Sequence, residues 1–136
     1  MLRKFYTFLI LLYALLLLYL MLLGFGREQF SQHIVRFAPI ASTFYFVQNT
    51  THWQDIFINL IGNIVLFMPF GFLGWVKPKW NDFQTLLFDF LTAIIIVESL
   101  QYFSKMGVFD IDDLFFNAFG LWLGYQIYLK INSLLK

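Results

Sequence analysis

Four stretches of the chain are apolar over long distances: residues 5–23, 56–76, 83–103 and 114–129. A helix needs about 20 such residues to cross a bilayer core. The pattern therefore predicts an all-α membrane protein, with four transmembrane helices in an antiparallel bundle. The fourth run is short, and Asp113 is expected to extend it. The first run follows Arg3 and Lys4, as the core of a secretory signal would. It exceeds the roughly 7–15 residues of a signal core and no A-x-A site follows, so it is read as an uncleaved helix. Beyond it, "EQFSQHIVRFAPI" sets Phe30, Ile34 and Phe37 at helical spacing, with Gln32, His33 and Arg36 elsewhere on the turn. That predicts a short amphipathic helix on the outer leaflet, ended by Pro39.

Composition points the same way. The 136 residues suit one domain, residues 1–136, and 60% of them are apolar while 12% are charged. A typical soluble domain has about 25% charged residues, so lipid is the expected solvent. Nineteen phenylalanines are explained as lipid-facing bulk. The chain has no cysteine, which excludes disulfides, thiolate metal sites and a cysteine nucleophile. A net charge of +1 leaves no nucleic-acid footprint. The basic residues set the orientation. Arg3, Lys4, Lys77, Lys79, Lys130 and Lys136 fall on one side of the predicted spans, and Arg27, Arg36 and Lys105 on the other. The expected protein is a multi-pass cell-membrane protein with both termini in the cytoplasm.

Within this topology the polar residues of three runs share a depth. In "IFINLIGNIVLFMPFGFLGWV", Asn59 and Asn63 are four apart and share a helical face. They lie roughly 6 and 12 Å below the outer end. Glu98 and Gln101 form a similar pair near the outer end of the third run, as do Asp113 and Asn117 at the start of the fourth. Six polar side chains at one depth are costly against lipid. They are expected to turn inward around a single outward-facing cavity. Asparagine and glutamine often serve only as interhelical glue, but an intramembrane carboxylate such as Glu98 favours a functional site.

Three further features bear on this cavity. Gly120 and Gly124 continue the stripe of Asp113 and Asn117 as a GxxxG packing motif, expected to close the cavity floor. Pro69, in "MPFG" with Gly71, removes a backbone donor from the second helix and predicts a kink. Asp110, Asp112 and Asp113 offer hard oxygen ligands of the kind that suit Mg²⁺ or Ca²⁺. Helix capping accounts for them better, with Asp112 as N-cap and Asp113 in the first turn, so neither metal nor cofactor is expected. His33 and His52 have no spaced partner. Asp89 lies on the face opposite Glu98, toward Lys77 or Lys79.

The pieces "NLIGNIVLFMPFGFL", "ESLQ" and "FDIDDLFFNAFGLWLGY" resemble the VanZ-like family of small bacterial membrane proteins, over residues 56–125. "RFAPI" is weakly similar to an Asn-Leu-x-Pro-Phe element of that family, without the Asn. The family commonly carries an Arg three residues before the first Asp of the fourth helix, where this chain has Gly107. The resemblance implies a bacterial cell-envelope role linked to glycopeptide (teicoplanin) resistance, but no enzyme class.

Three functions fit these residues. In the first, the cavity binds an envelope lipid, an anionic lipid head group or a lipid-linked cell-wall precursor; a glycopeptide is a further possible partner. Asn59, Asn63, Gln101 and Asn117 would supply hydrogen bonds, and Glu98 and Asp113 charge. In the second, Glu98 acts as acid or base on a lipid head group, with Asp110 and Asp113 holding a metal; the chain lacks a convincing nucleophile for this. In the third, Glu98 is the proton site of a small transporter.

Overall fold

A computed structural model describes residues 2–23, 31–36, 44, 47–49 and 53–135, without the side chains of Arg36 and residues 53–59. Phe30, Phe37, Pro39 and His52, and the side chain of Asn59, lie outside the described residues. The protein is mostly helical. Among the described residues four long α-helices follow one another: α1 (Leu2–Leu22), α2 (Trp53–Phe67), α3 (Phe83–Phe103) and α4 (Ile111–Leu134). Two of them, α1 and α3, are long and apolar enough to cross a membrane. The central helix is α4, which packs against α2 and against a 3-10 segment, Met68–Trp75, with α3 on another side. The buried core gathers Leu17, Phe67, Leu86, Phe90, Ile94, Leu121, Tyr125 and Tyr128 from all four helices.

Three glycines make the central contact. A Cβ on Gly120 would strike the carbonyl oxygen of Ile64, and one on Gly124 the carbonyl oxygen of Met68. A Cβ on Gly71 would meet the backbone of Gly124 and Tyr125. Here α4 and the second run lie backbone against backbone, which only residues lacking a side chain permit.

Pro69 acts differently from a simple kink. The α-helix ends at Phe67 and the chain continues as eight residues of 3-10 helix, although such runs rarely exceed three or four residues. In the 3-10 register the carbonyl of Leu66 would take its hydrogen bond from residue 69, which as proline has no N–H. Tyr13 of α1 supplies the missing donor, its hydroxyl lying 2.7 Å from the Leu66 oxygen. One heptad earlier on α1, the Tyr6 hydroxyl donates to the Pro69 oxygen at 2.8 Å. The Tyr6 ring meets that of Trp75 edge-on at 5.5 Å. The 3-10 repeat also aligns positions i and i+3, so Gly71 and Gly74 share the edge toward α4, where Gly74 lies against Tyr128 and Asn81.

The helix ends follow local chemistry. Asp82 N-caps α3, accepting from the Thr85 backbone N–H at 2.8 Å and its hydroxyl at 2.7 Å. At the other end, the N–H of Met106 bonds the carbonyl of Gln101, and that of Lys105 bonds Tyr102. This is a Schellman closure, with Lys105 at φ 59° where glycine is usual. Asp110, not Asp112, N-caps α4: its Oδ1 accepts from the Asp112 N–H at 3.0 Å, leaving Asp112 and Asp113 in the first turn. An extended residue two before the first-turn N–H has the reach that Asp112, already helical, lacks.

The amphipathic helix expected around Ile34 is absent from the described residues. Instead β1 (Val35–Arg36) pairs in parallel with β2 (Phe109–Asp110), Val35 opposite Phe109 and Arg36 opposite Asp110. The β-branched Ile34 and Val35 favour an extended backbone, and the bonds made across the bundle outweigh an isolated helical turn. Here the His33 Nδ1–H donates to the Tyr102 carbonyl at 2.8 Å, so the segment is tied to α3 as well.

Five variants test these contacts. Gly124→Leu prevents folding, read as loss of monodisperse protein in detergent, whereas Gly62→Ala, with nothing within 4 Å of its added carbon, stabilises by up to about 1 kcal/mol. Tyr13→Phe costs about 1–3 kcal/mol by orphaning a carbonyl, measured by thermal unfolding in detergent. Lys105→Gly stabilises by about 1 kcal/mol by relieving the left-handed backbone. Thr85, through its hydroxyl first and its N–H second, holds the Asp82 carboxyl below its usual value. The contribution of Asp82 is therefore complete above the ordinary aspartate range and disappears as pH falls through its lowered value. The melting-temperature deficit of Asp82→Ala should be full at neutral pH and vanish in acid.

Candidate functional site

A cavity of about 230 Å³ lies between the helices at the Lys105 end of the bundle. Helix α2 contributes Asn63, Leu66 and Phe67 to its wall, α3 Glu98 and Gln101, and α4 Asp113 and Asn117. Gly107, Val108 and Asp110 close it from the loop before α4, and Leu17 and Met21 from α1. Five of the six polar residues expected to converge thus line one cavity. The sixth, Asn59, sits one helical turn before Asn63 in α2, with its side chain outside the described residues.

Helix geometry explains the convergence. Glu98 and Gln101 are three apart on α3, and Asp113 and Asn117 four apart on α4, so each pair shares a face. The glycine contact places Ile64 against Gly120. That brings the residue before Ile64 level with the turn before Gly120. Asn63 donates from Nδ2 to Oδ1 of Asp113, two turns before Gly120, at 3.0 Å. Gln101 donates from Nε2 to the carbonyl of Met21 at 2.6 Å, joining α3 to α1. Glu98, Gln101 and Asn117 are only 3%, 5% and 2% exposed. Oδ1 of Asn117 is buried in the cavity wall with no hydrogen-bond partner among the described residues.

The described lining holds three carboxylates, Glu98, Asp110 and Asp113, and no basic side chain. Lys105 is not part of it. Gly107, where the resembling family commonly carries an arginine, is. Asp112 is buried but outside the lining, and no three His, Asp or Glu side chains group as a metal set among the described residues. Asp110 was weighed from sequence only as a metal ligand; the structure makes it both helix cap and cavity wall. The roles of Leu17, Met21 and Val108 had no signal beyond hydropathy.

Asp89 belongs elsewhere. Lys79 Nζ lies 2.5 Å from its Oδ2, and the indole N–H of Trp80 donates to the same oxygen at 2.8 Å. The pair anchors the opposite end of α3. Nearby, the Tyr125 hydroxyl donates to the Asn81 carbonyl at 2.5 Å, and Tyr128 to the Asn81 side chain.

Fold and site together define a helical protein whose bundle encloses an acidic, amide-rich cavity. The chain belongs to the VanZ/LLP1 family, whose profile matches residues 8–135. A 72-residue segment, 53% of the chain, is 32% identical to Protein VanZ of Enterococcus faecium. That segment covers 45% of the relative, so the chain spans less than half of that protein's length. No solved structure matches the chain.

Asn63→Leu removes the amide that donates to Asp113 and should destabilise the protein by about 1–3 kcal/mol. Asn63→Gln should recover part of that loss in the same thermal melt.

Proposed function

We propose that this is a four-span protein of the bacterial cell membrane, with both termini cytoplasmic, and that its cavity binds the polar head of an envelope amphiphile. Length supports four spans. At 1.5 Å per residue α1 and α3 reach about 32 Å and α4 about 36 Å. Helix α2 and the 3-10 segment together reach about 38 Å. A bilayer core is about 30 Å thick. Along the sequence, six basic residues flank the four runs on one side and three on the other, which supports an outer position for the cavity.

The observation that carries the binding reading is the buried Oδ1 of Asn117, without a partner among the described residues, in the same lining as Glu98, Gln101 and Asp113. An intramembrane carboxylate is costly unless its site is used. The acceptor-rich lining favours a head group that donates hydrogen bonds, such as a primary amine or sugar hydroxyls, over a bare phosphate. A cavity of about 230 Å³ is smaller than the roughly 300–1,000 Å³ of drug-sized sites. It suits a head-group fragment of a lipid or lipid-linked wall precursor, not a glycopeptide. Protection against glycopeptides such as teicoplanin would then come from holding or altering the surface target, not from capturing the drug.

Glu98→Gln and Asn117→Leu should each lower the amount of co-purifying lipid about tenfold or more, the loss of a charged or buried hydrogen bond, and restore teicoplanin sensitivity in cells. Asn117→Leu should also stabilise the lipid-free protein by about 1 kcal/mol, because it deletes a buried unpaired carbonyl. Unchanged lipid content and sensitivity in both variants would refute the reading.

A further inference from the structure

A second cavity, about 280 Å³ and almost wholly apolar, runs between α1 and α3. Its floor is Phe67, Phe70 and Leu73 of the second run, and its far end is Trp80 beside Asp89. Along α3 it extends from Val97 to Leu86, eleven residues or about 16 Å. Small side chains leave it open: Ala14 of α1 and Ala93 of α3 both line it, and Ala93 is exposed. Helix α1 packs loosely here, burying only Ile10 and Leu17.

This furrow adjoins the polar cavity. Leu17, Met21 and Phe67 line both. Two adjoining spaces, one acidic and amide-lined and the other apolar, match the division of an amphiphile with a polar head and a hydrocarbon tail. A water-soluble ligand would have no use for the apolar half, and a loose annular lipid none for the polar half.

We infer that the furrow between α1 and α3 seats one acyl or isoprenoid chain of the same lipid whose head enters the polar cavity. The ligand is therefore a membrane lipid that enters sideways from the bilayer. This inference rests on the head-group reading above and adds the tail.

The test uses the full chain in phosphatidylcholine nanodiscs containing a minor fraction of phosphatidylethanolamine with a photoactivatable diazirine in one acyl chain. Its ammonium matches the acidic lining. After irradiation, labelled residues are mapped by peptide mass spectrometry. Labelling at Leu86, Phe90 and Ala93 should exceed that at the outward-facing Phe88 and Ile96, 72% and 55% exposed, by several-fold. It should also fall on competition with unlabelled phosphatidylethanolamine. Ala93→Trp should cut furrow labelling several-fold and leave Phe88 and Ile96 unchanged.

Equal labelling of both faces, unmoved by Ala93→Trp, would mean annular lipid only and overturn the inference. So would furrow residues cross-linked to a second copy of the chain instead of to lipid. If the furrow stays unlabelled while lipid co-purification still depends on Glu98 and Asn117, the head-group reading survives without the tail. If furrow labelling persists unchanged in Asn117→Leu and Glu98→Gln, the tail seat stands and the head-group reading falls.

Discussion

The backbone contact between α4 and the second run is the constraint on which the rest of the structure depends. Gly120 faces the carbonyl of Ile64, Gly124 that of Met68, and Gly71 the backbone at Gly124 and Tyr125. Packing this close leaves no freedom to slide by a turn, because any neighbouring register would set a side chain against a carbonyl. The register then fixes the chemistry one turn away. Asn63 precedes Ile64 and Asn117 precedes Gly120 by three, so locking the glycines brings Asn63 to Asp113 and turns Asn117 into the same space.

The glycine contact has a backbone cost, and α1 meets it. Pro69 cannot donate, and the run tightens into 3-10 geometry just where it passes Gly124. A carbonyl without a donor is expensive away from water, and the Tyr13 hydroxyl occupies that role. Tyr6 and Tyr13 therefore do more than decorate a leucine-rich helix. They hold α1 to the bundle at two points while most of its leucines remain on the outside. A helix fastened by two hydroxyls and a few side chains leaves room beside it, and the apolar furrow against α3 is that room.

At the far end the cavity is roofed by chain segments, not by helix. The strand pair joins residues 35–36 to 109–110, and His33 binds the end of α3. These bonds bring the loop before α4 over Glu98 and Gln101, with Asp110 serving both as the cap of α4 and as part of the wall. The acidic character of the cavity follows from helix capping as much as from ligand chemistry, since a carboxylate at a helix N-terminus is favoured by the helix itself. Glu98 lies inside α3, away from its N-terminus, so helix capping does not account for its carboxylate.

Much of this was legible in the sequence. Four apolar runs marked the helices, and spacings of three and four placed the polar pairs on single faces, because helical periodicity is a local property. Pairing equal depths in separate helices was enough to group Asn63, Glu98, Gln101, Asp113 and Asn117, and GxxxG named the helix that packs most tightly. What the sequence could not reveal depended on distant partners. Pro69 stands where the helix winds into 3-10 form, and the Leu66 carbonyl there takes its hydrogen bond from a hydroxyl 53 residues away. Ile34 reads as one face of a helix until a strand from the other side of the bundle offers its N–H. Asp110 became the cap because its backbone is extended, and Asn117 was left with a bare oxygen because no donor among the described residues reaches it. Periodicity is written in neighbouring residues, whereas the satisfaction of each polar group is decided by what the fold brings against it.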